Sequence, residues 1–367
     1  MSKVYFFYPK GKKLTGQEMA SRLILSSLPD IVFEVRWFPA FERGSGNYLA
    51  KVAYPFRVTA SWLRVFSLVF VPKPVIYVNL SQTRVSLLRD GQPFRMLSWF
   101  KALSLVVSLH GHVFTTWETE DRVCRLFVSI LKKAQLVTVL GEVQRQKLID
   151  FGIARERVRI VPNTCGLSKF AGEKSGEEVN VLYLSNLIEQ KGYLEYLESL
   201  ELLATMKPSR KVRAVLCGDL YSGESDNTNR IDELIATVNT SESVTLTWQK
   251  SAFGSDKEAM FRNADIFVLP SRARVEAQPI VLIEAMASGC ALITSRVGEI
   301  PSTVSESCAV LLDNVTPADI AAELRRLIGD EQQLRAMQTA ALCRFSEKFD
   351  SEIYTRNWRE IFRNLSA

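Results

Sequence analysis

The stretch Ala264–Ser295, ADIFVLPSRARVEAQPIVLIEAMASGCALITS, decides the fold class. Its first segment, ADIFVLPS (Ala264–Ser271), is a short apolar run of strand type, and its last, CALITS (Cys290–Ser295), is another. Between them, PIVLIEAMAS reads as a helix. Pro279 suits the first helical position, because its fixed φ is already helical and its missing N–H is not needed there. Gly289 supplies a C-terminal stop. Continuous apolar strands separated by helices belong to a parallel sheet covered on both faces.

The alternation extends upstream. EVNVLYLSN (Glu178–Asn186), VRAVLCG (Val212–Gly218) and SVTLTW (Ser243–Trp248) are strands of the same series. An earlier series comprises KVYFFY (Lys3–Tyr8), PVIYVNL (Pro74–Leu80), LSLVVSLH (Leu103–His110), LVTVL (Leu136–Leu140) and RVRIVPN (Arg157–Asn163), with a helical pattern at Gly16–Leu28. The polar stretch SKFAGEKSGEE (Ser168–Glu178) separates the two series as an interdomain linker would. At ~100–200 residues per domain, the length also suggests two. The expected architecture is α/β: two doubly wound Rossmann-like domains, over 1–169 and 170–350, facing a central cleft. A C-terminal helix over about 351–367 is expected to pack back on the first domain. Ligands in such sheets bind beyond the carboxyl ends of strands, so the chemistry is sought in those loops.

Apolar residues make up 47% of the chain and charged residues 23%, which suits a folded protein with a sizeable core. The six cysteines include no close C-x-x-C pair, so neither a zinc knuckle nor a disulfide framework is indicated. The start, MSKVYFFYP, lacks a signal peptide's long apolar region. A reduced, cytoplasmic protein is expected. The net charge of +6 is unevenly spread: residues 1–169 hold 25 Lys/Arg against 11 Asp/Glu, and the remainder 21 against 29. A basic half can face something anionic. Nucleic acid is disfavoured, since no binding module and no dense Lys/Arg run occurs. An anionic membrane surface is the other option. Residues 52–72 and Pro93–Leu103 mix aromatics with arginines, Arg57 and Arg64 sharing one helix face. These segments are either surface-attachment elements on the inner face of the cell membrane or ordinary core helices. No apolar run reaches the ~20 residues of a spanning helix.

Two carboxylates flank the helix of the opening stretch. Glu276 precedes it, and Glu284 lies five residues past Pro279, about 7.5 Å along the axis. The first-turn amides of Ile280, Val281 and Leu282 are expected to have no intrahelical acceptor, which with the helix dipole makes an anion site. A phosphate there, with a polyol at either side, would use both acids, because a carboxylate accepts hydroxyl hydrogen bonds on each oxygen. Read from spacing alone, the acids fit better a plain arrangement, with Glu276 favouring the positive helix end and Glu284 at a surface position.

The surrounding text, LPSRARVEAQPIVLIEAMASGCALITSRVGEIP, resembles the signature of family-4 glycosyltransferases, retaining enzymes of the GT-B type. The resemblance covers Pro270–Ser271, the E-x7-E pair, EAMASG and the VGEIP loop (Val297–Pro301). More weakly, it includes LTGQ, SLHGH, VPN and NLIEQKG. It implies a nucleotide-sugar donor, UDP- or GDP-linked, as substrate with no other cofactor and no metal. Glu276 would meet the donor sugar's hydroxyls and Glu284 the ribose. In YLSNLIEQKG, Lys191 matches a lysine that neutralises the diphosphate, while Asn186 stands where an arginine is expected, and Arg272 or Arg274 is a candidate substitute. Gly218, in LCGDL, is placed near the nucleoside, or is a plain strand-to-loop glycine.

The two histidines of the chain, His110 and His112, follow an apolar strand in SLHGHVF, and no third metal ligand is evident nearby. The resemblance puts His110 beside the donor's reacting carbon, orienting the sugar, and His112 toward the acceptor. Gly16 opens a helix and is expected to let its backbone approach a phosphate. Lys10, Lys12, Lys13, Arg84 and Arg89 are acceptor-side candidates. The function implied is transfer of a hexosyl group to a hydroxyl of a glycan or lipid-linked acceptor, in bacterial surface polysaccharide synthesis. The alternatives are a sugar-nucleotide epimerase, a phosphorylase and a non-catalytic nucleotide-sugar-binding protein.

Overall fold

In the computed structural model, residues 3–10, 16–39, 48–172, 174, 176–221 and 227–366 are described. The chain divides into two units, Met1–Asn163 with Glu352–Ala367, and Thr164–Ser351. The first unit runs β1 (Val4–Lys10), α1 (Gly16–Ser27), β2 (Phe33–Pro39), α2 (Tyr48–Phe66), β3 (Val75–Asn79), α3 (Arg84–Ser86), α4 (Gln92–Leu97), β4 (Ser104–Ser108), α5 (Arg122–Leu131), β5 (Leu136–Val139), α6 (Glu142–Asp150) and β6 (Val158–Ile160). The second begins with β7 (Val179–Leu184), α7 (Tyr193–Thr205), β8 (Val212–Cys217), α8 (Thr228–Val238), β9 (Val244–Gln249) and α9 (Gly254–Asn263). It continues with β10 (Ile266–Leu269), α10 (Ile280–Ala287), β11 (Ala291–Ser295), α11 (Ile300–Thr303), β12 (Ala309–Leu312), α12 (Pro317–Gly329) and α13 (Glu331–Lys348). The last helix, α14 (Ser351–Ser366), packs on the first unit's sheet, where Trp358 meets Tyr77 and Phe362 meets Phe33.

Each unit holds a six-stranded parallel sheet, in the orders β2-β1-β3-β4-β5-β6 and β12-β11-β10-β7-β8-β9. The strand interiors are apolar on both faces because helices cover both. In β1, Tyr5 and Phe7 enter one core cluster while Val4, Phe6 and Tyr8 enter another. Two strands escape the sequence reading, β2 and β12, and both lie at sheet edges. An edge strand is buried less evenly, so its sequence can be mixed: β2 reads FEVRWFP, with Val35 and Trp37 exposed on one face and Glu34 paired with Arg36 on the other. The stretch Ser168–Glu178, read as a linker, lies within the second unit, where the Phe170 N–H donates to the Ala287 carbonyl at 2.8 Å.

The strand order of each sheet reverses at one place. In the second sheet β7 and β10 are neighbours, registered Ile266 to Val181, although two strand–helix units separate them in sequence. The chain leaves their carboxyl ends in opposite directions across the sheet. Such a switch point opens a crevice at the strand ends.

Candidate active site

The loops leaving β7 and β10 bring three side chains together at this switch point. After β7 the chain makes a short 3-10 turn, Glu189–Lys191, and enters α7 through Gly192 at φ +77°. A Cβ on Gly192 would lie 2.2 Å from the Pro270 carbonyl oxygen, so only glycine lets the two loops touch. That contact delivers the Lys191 ammonium to Glu276, which accepts from it on Oε2. The buried Ser271 hydroxyl donates to the same oxygen at 3.1 Å. Gly298, in the VGEIP loop, holds Glu276 from behind. It has φ +54°, its Cβ would meet the Glu276 carbonyl oxygen at 1.9 Å, and the Glu299 N–H donates to that oxygen at 3.0 Å.

Glu284 is gripped in the same way. It is buried on α10, and its Oε1 accepts from the Lys257 ammonium of α9 at 2.7 Å. Its Oε2 is buried without a hydrogen-bond partner. A buried carboxylate oxygen with an open acceptor is costly unless something donates to it, and a ligand hydroxyl would do so. Both acids of the pair are therefore enclosed and lysine-bound, and neither is a solvated surface charge. Lys257 gives no signal in the sequence, since it lies 27 residues before its partner on another helix.

The start of α10 differs from expectation. Pro279 is the N-cap, with extended ψ of 116°, and helix begins at Ile280. In consequence the Leu282 N–H is not an open donor: it donates to the Pro279 carbonyl at 3.1 Å in a tightened first turn. Ile280 and Val281 remain as the first-turn amides, and no side chain caps this end. The C-terminal end closes as a Schellman motif. Gly289 stands at φ +66°, its N–H donates to Met286, and the Cys290 N–H donates to Ala285.

The cation question is narrowed. Asn186 is exposed, and its backbone carbonyl accepts from the Ile188 N–H at 2.9 Å. Arg272 is committed elsewhere, to Glu195 at 2.7 Å and Glu189 at 3.5 Å. Arg274 is exposed and makes no ion pair among the described residues. Gly218 has a structural reason to be glycine: at φ +150° its Cβ would stand 1.9 Å from the Ser185 carbonyl oxygen, where the loops after β7 and β8 meet. Gly16 has no such constraint, as a Cβ there would meet nothing within 4 Å.

In the first unit, His110 follows β4. Its Nε2 lies 3.0 Å from the Ser108 hydroxyl, which accepts from Thr138 at 2.9 Å. Burial lowers the ring's pKa to about 4, against a smaller opposing influence of Asn163, so His110 is neutral near pH 7. By its surface His110 is partly buried, whereas His112 is buried, with its pKa likewise lowered to about 4 by burial and its Nδ1 3.4 Å from the Gln144 amide. That leaves its ring little surface to offer an acceptor. Arg84 is exposed on α3. Arg89 corrects the sequence reading. It is buried in a π-helical turn, Leu87–Gly91, forms a bidentate pair with buried Asp90, and donates to the Pro39 carbonyl at 2.7 Å. With its donors so committed, it is a structural residue and not an acceptor contact. Lys10 lies over the Trp37 ring at 4.7 Å, whereas Lys12 and Lys13 lie outside the described residues. Among the described residues no group of three or more His, Cys, Asp or Glu could hold a metal ion.

Two six-stranded parallel sheets, each with one reversal of strand order, place the chain in the GT-B class of α/β protein. Comparison with HepE of Anabaena, solved in complex with UDP, agrees: TM-score 0.73 at 18% identity, over 99% of this chain and 100% of that one. Residues 167–342 match the family model of the glycosyl transferases group 1. Among curated relatives, the chain is 24% identical to a D-inositol 3-phosphate glycosyltransferase of Corynebacterium jeikeium, over 65% of this chain and 60% of the relative. It is 24% identical to the amylovoran biosynthesis glycosyltransferase AmsK of Erwinia amylovora, over 63% and 57%. The match thus spans about 60% of the length of these relatives.

Proposed function

We propose that the protein is a retaining glycosyltransferase that moves a hexosyl group from a nucleotide-sugar donor to a hydroxyl of a glycan or lipid-linked acceptor. The observation that carries this reading is the pair of enclosed carboxylates around α10, each gripped by a lysine and one keeping an open buried oxygen. Glu284 would take a ribose hydroxyl on Oε2. Glu276, with Oε2 engaged by Lys191 and Ser271, would present Oε1 to hydroxyls of the donor sugar. The diphosphate would lie between them, against the Ile280 and Val281 amides and Lys191, with Arg274 adding charge where Asn186 brings none. UDP is the favoured carrier over GDP, since HepE has been seen with UDP and with UDP-glucose. A role in surface polysaccharide synthesis is favoured by the likeness to the amylovoran enzyme.

In the reaction, the bond from the anomeric carbon to the β-phosphate oxygen breaks with its electron pair passing to that oxygen. The acceptor hydroxyl forms the new bond on the same face of the sugar and loses its proton to the departing diphosphate. Charge grows on the leaving oxygen, so Lys191 and the helix amides act most strongly in the transition state. His110, uncharged at neutral pH, would orient the sugar and not serve as a cation.

The test is incubation with UDP- and GDP-linked hexoses, with and without lipid-linked acceptors, read by product mass and by anomeric configuration in NMR. A product with the donor's configuration supports the reading. An inverted product overturns retention, and tight donor binding with no product under any acceptor identifies a non-catalytic binder.

A further inference from the structure

We infer that the first unit docks on an anionic lipid bilayer through one apolar and basic face built by α2 and the turns at 67–73 and 98–101. This inference rests on the first unit alone and is independent of the reaction proposed for the second. Helix α2 buries Ser61 and Val65 toward the core, and its opposite stripe carries Val52, Phe56 and Leu63 at intervals of four and seven residues. An outward stripe on an ordinary surface helix is polar. Here Phe56 is 74% exposed, and the 3-10 turn that follows α2 ends on Phe70, 87% exposed. The turn after α4 adds Trp99 and Phe100, also exposed. The two turns are adjacent in space, because the Lys101 ammonium donates to the Val71 carbonyl and, at 3.3 Å, to the Val69 carbonyl. Large apolar side chains clustered this way mark an interaction surface.

The charge around this face says what the surface meets. Residues 43–117 contain nine Lys/Arg and a single acid, Asp90. That acid is buried and bound to Arg89, so it does not offset the field outside. Arg57 and Arg64 are exposed on α2, seven residues apart and on one flank of the helix, and Lys73 is exposed just after Phe70. A basic surface studded with Phe and Trp, whose neighbouring acid Glu34 is paired with Arg36 and Lys3, suits the headgroup region of an anionic leaflet, where rings sit at the acyl boundary and each Lys or Arg is attracted to lipid charge. Among the described residues no helix is long and apolar enough to cross a membrane, so the face lies on the bilayer and does not span it.

The experiment is flotation of the full chain with vesicles of phosphatidylcholine alone or with phosphatidylglycerol added at ~30%, as the source of the ~1 kcal/mol attraction per basic residue. Three variants accompany the wild type: F70S/W99S/F100S, R57E/R64E, and F253S, which removes an exposed phenylalanine of the second unit. Thermal unfolding confirms that each is folded. The inference predicts that wild type and F253S float with anionic vesicles at low salt, roughly tenfold more than with neutral ones, and that both patch variants lose about tenfold or more. Wild type remaining in the soluble fraction overturns it, as does flotation of the patch variants at wild-type level. A wild-type dimer in sedimentation, split by F70S/W99S/F100S without any flotation, assigns the face to a second copy of the chain and overturns it as well.

Discussion

Replacing Lys191 by methionine separates two roles that the structure gives one ammonium. In the unliganded protein the group neutralises Glu276, and in the proposed reaction it stabilises the departing diphosphate. The first role has a bounded size. Two unit charges at ~4 Å attract by about 4 kcal/mol at an effective dielectric constant near 20. Lys191 keeps 23% of its side chain exposed and Glu276 9%, so solvent screening and desolvation reduce the net contribution to about 1–2 kcal/mol. Melting should therefore fall by only a few degrees, at ~2–4 °C per kcal/mol. The second role is larger. Loss of one preorganised donor to a developing oxyanion costs ~3–4 kcal/mol, or about 10²–10³ in kcat. The assay is the initial rate of nucleoside diphosphate release with donor and acceptor, run beside calorimetric donor titration and thermal unfolding. A cycle with Glu276→Gln completes the design, since the two substitutions should be non-additive in stability by the same 1–2 kcal/mol. A Lys191→Met variant with kcat within about threefold of wild type would refute the reasoning, whatever its stability.

Lys257→Met leaves Glu284 enclosed and unpaired; donor affinity should drop roughly tenfold or more with kcat changing less, and unchanged calorimetric affinity would remove Lys257 from the account. Arg89→Met strands the buried Asp90 and should destabilise the protein by about 3–5 kcal/mol in chemical denaturation, whereas an effect on acceptor KM with wild-type stability would restore Arg89 to the acceptor side. His110 and His112, held near a pKa of about 4 by burial, stay neutral in the native state while the unfolded rings protonate below ~6.5. Stability is therefore full above pH ~6.5 and falls toward pH ~4, by about 2 kcal/mol per ring at pH 5. His112→Asn should flatten that slope in urea titrations, and an unaltered slope would contradict the burial argument.

What the sequence made legible follows from what each feature depends on. The inner strands announce themselves because helices cover both faces, so VYFFY, VIYVN and IFVL are apolar without alternation. The edge strand β2 lacks that signature because its run carries Glu34 and Arg36, and β12, AVLL, is apolar but only four residues long, too short to stand out. Local chain chemistry was equally readable: Gly289 closes α10 as a C-terminal glycine should. Pro279 reads from sequence as the first helical residue but is the N-cap, because proline's fixed φ suits both positions and only ψ distinguishes them. Contacts between distant segments were not legible. Nothing in LLRDG indicates that Arg89 turns inward to the Pro39 carbonyl, nor in GSDKEAM that Lys257 reaches Glu284. Arg272 illustrates the same limit, because its engagement by Glu195 and Glu189 depends on how two loops meet at the switch point of the second sheet.

The central claim is that the α10 acids and their lysines form a nucleotide-sugar site. Calorimetric titration of UDP, GDP and their hexose conjugates into wild type and Glu284→Gln tests it most directly. The account predicts saturable binding of one nucleoside diphosphate series, weakened at least tenfold in Glu284→Gln, at about 1.4 kcal/mol per tenfold. Absence of binding by every nucleotide, or equal affinity in both proteins, would contradict it.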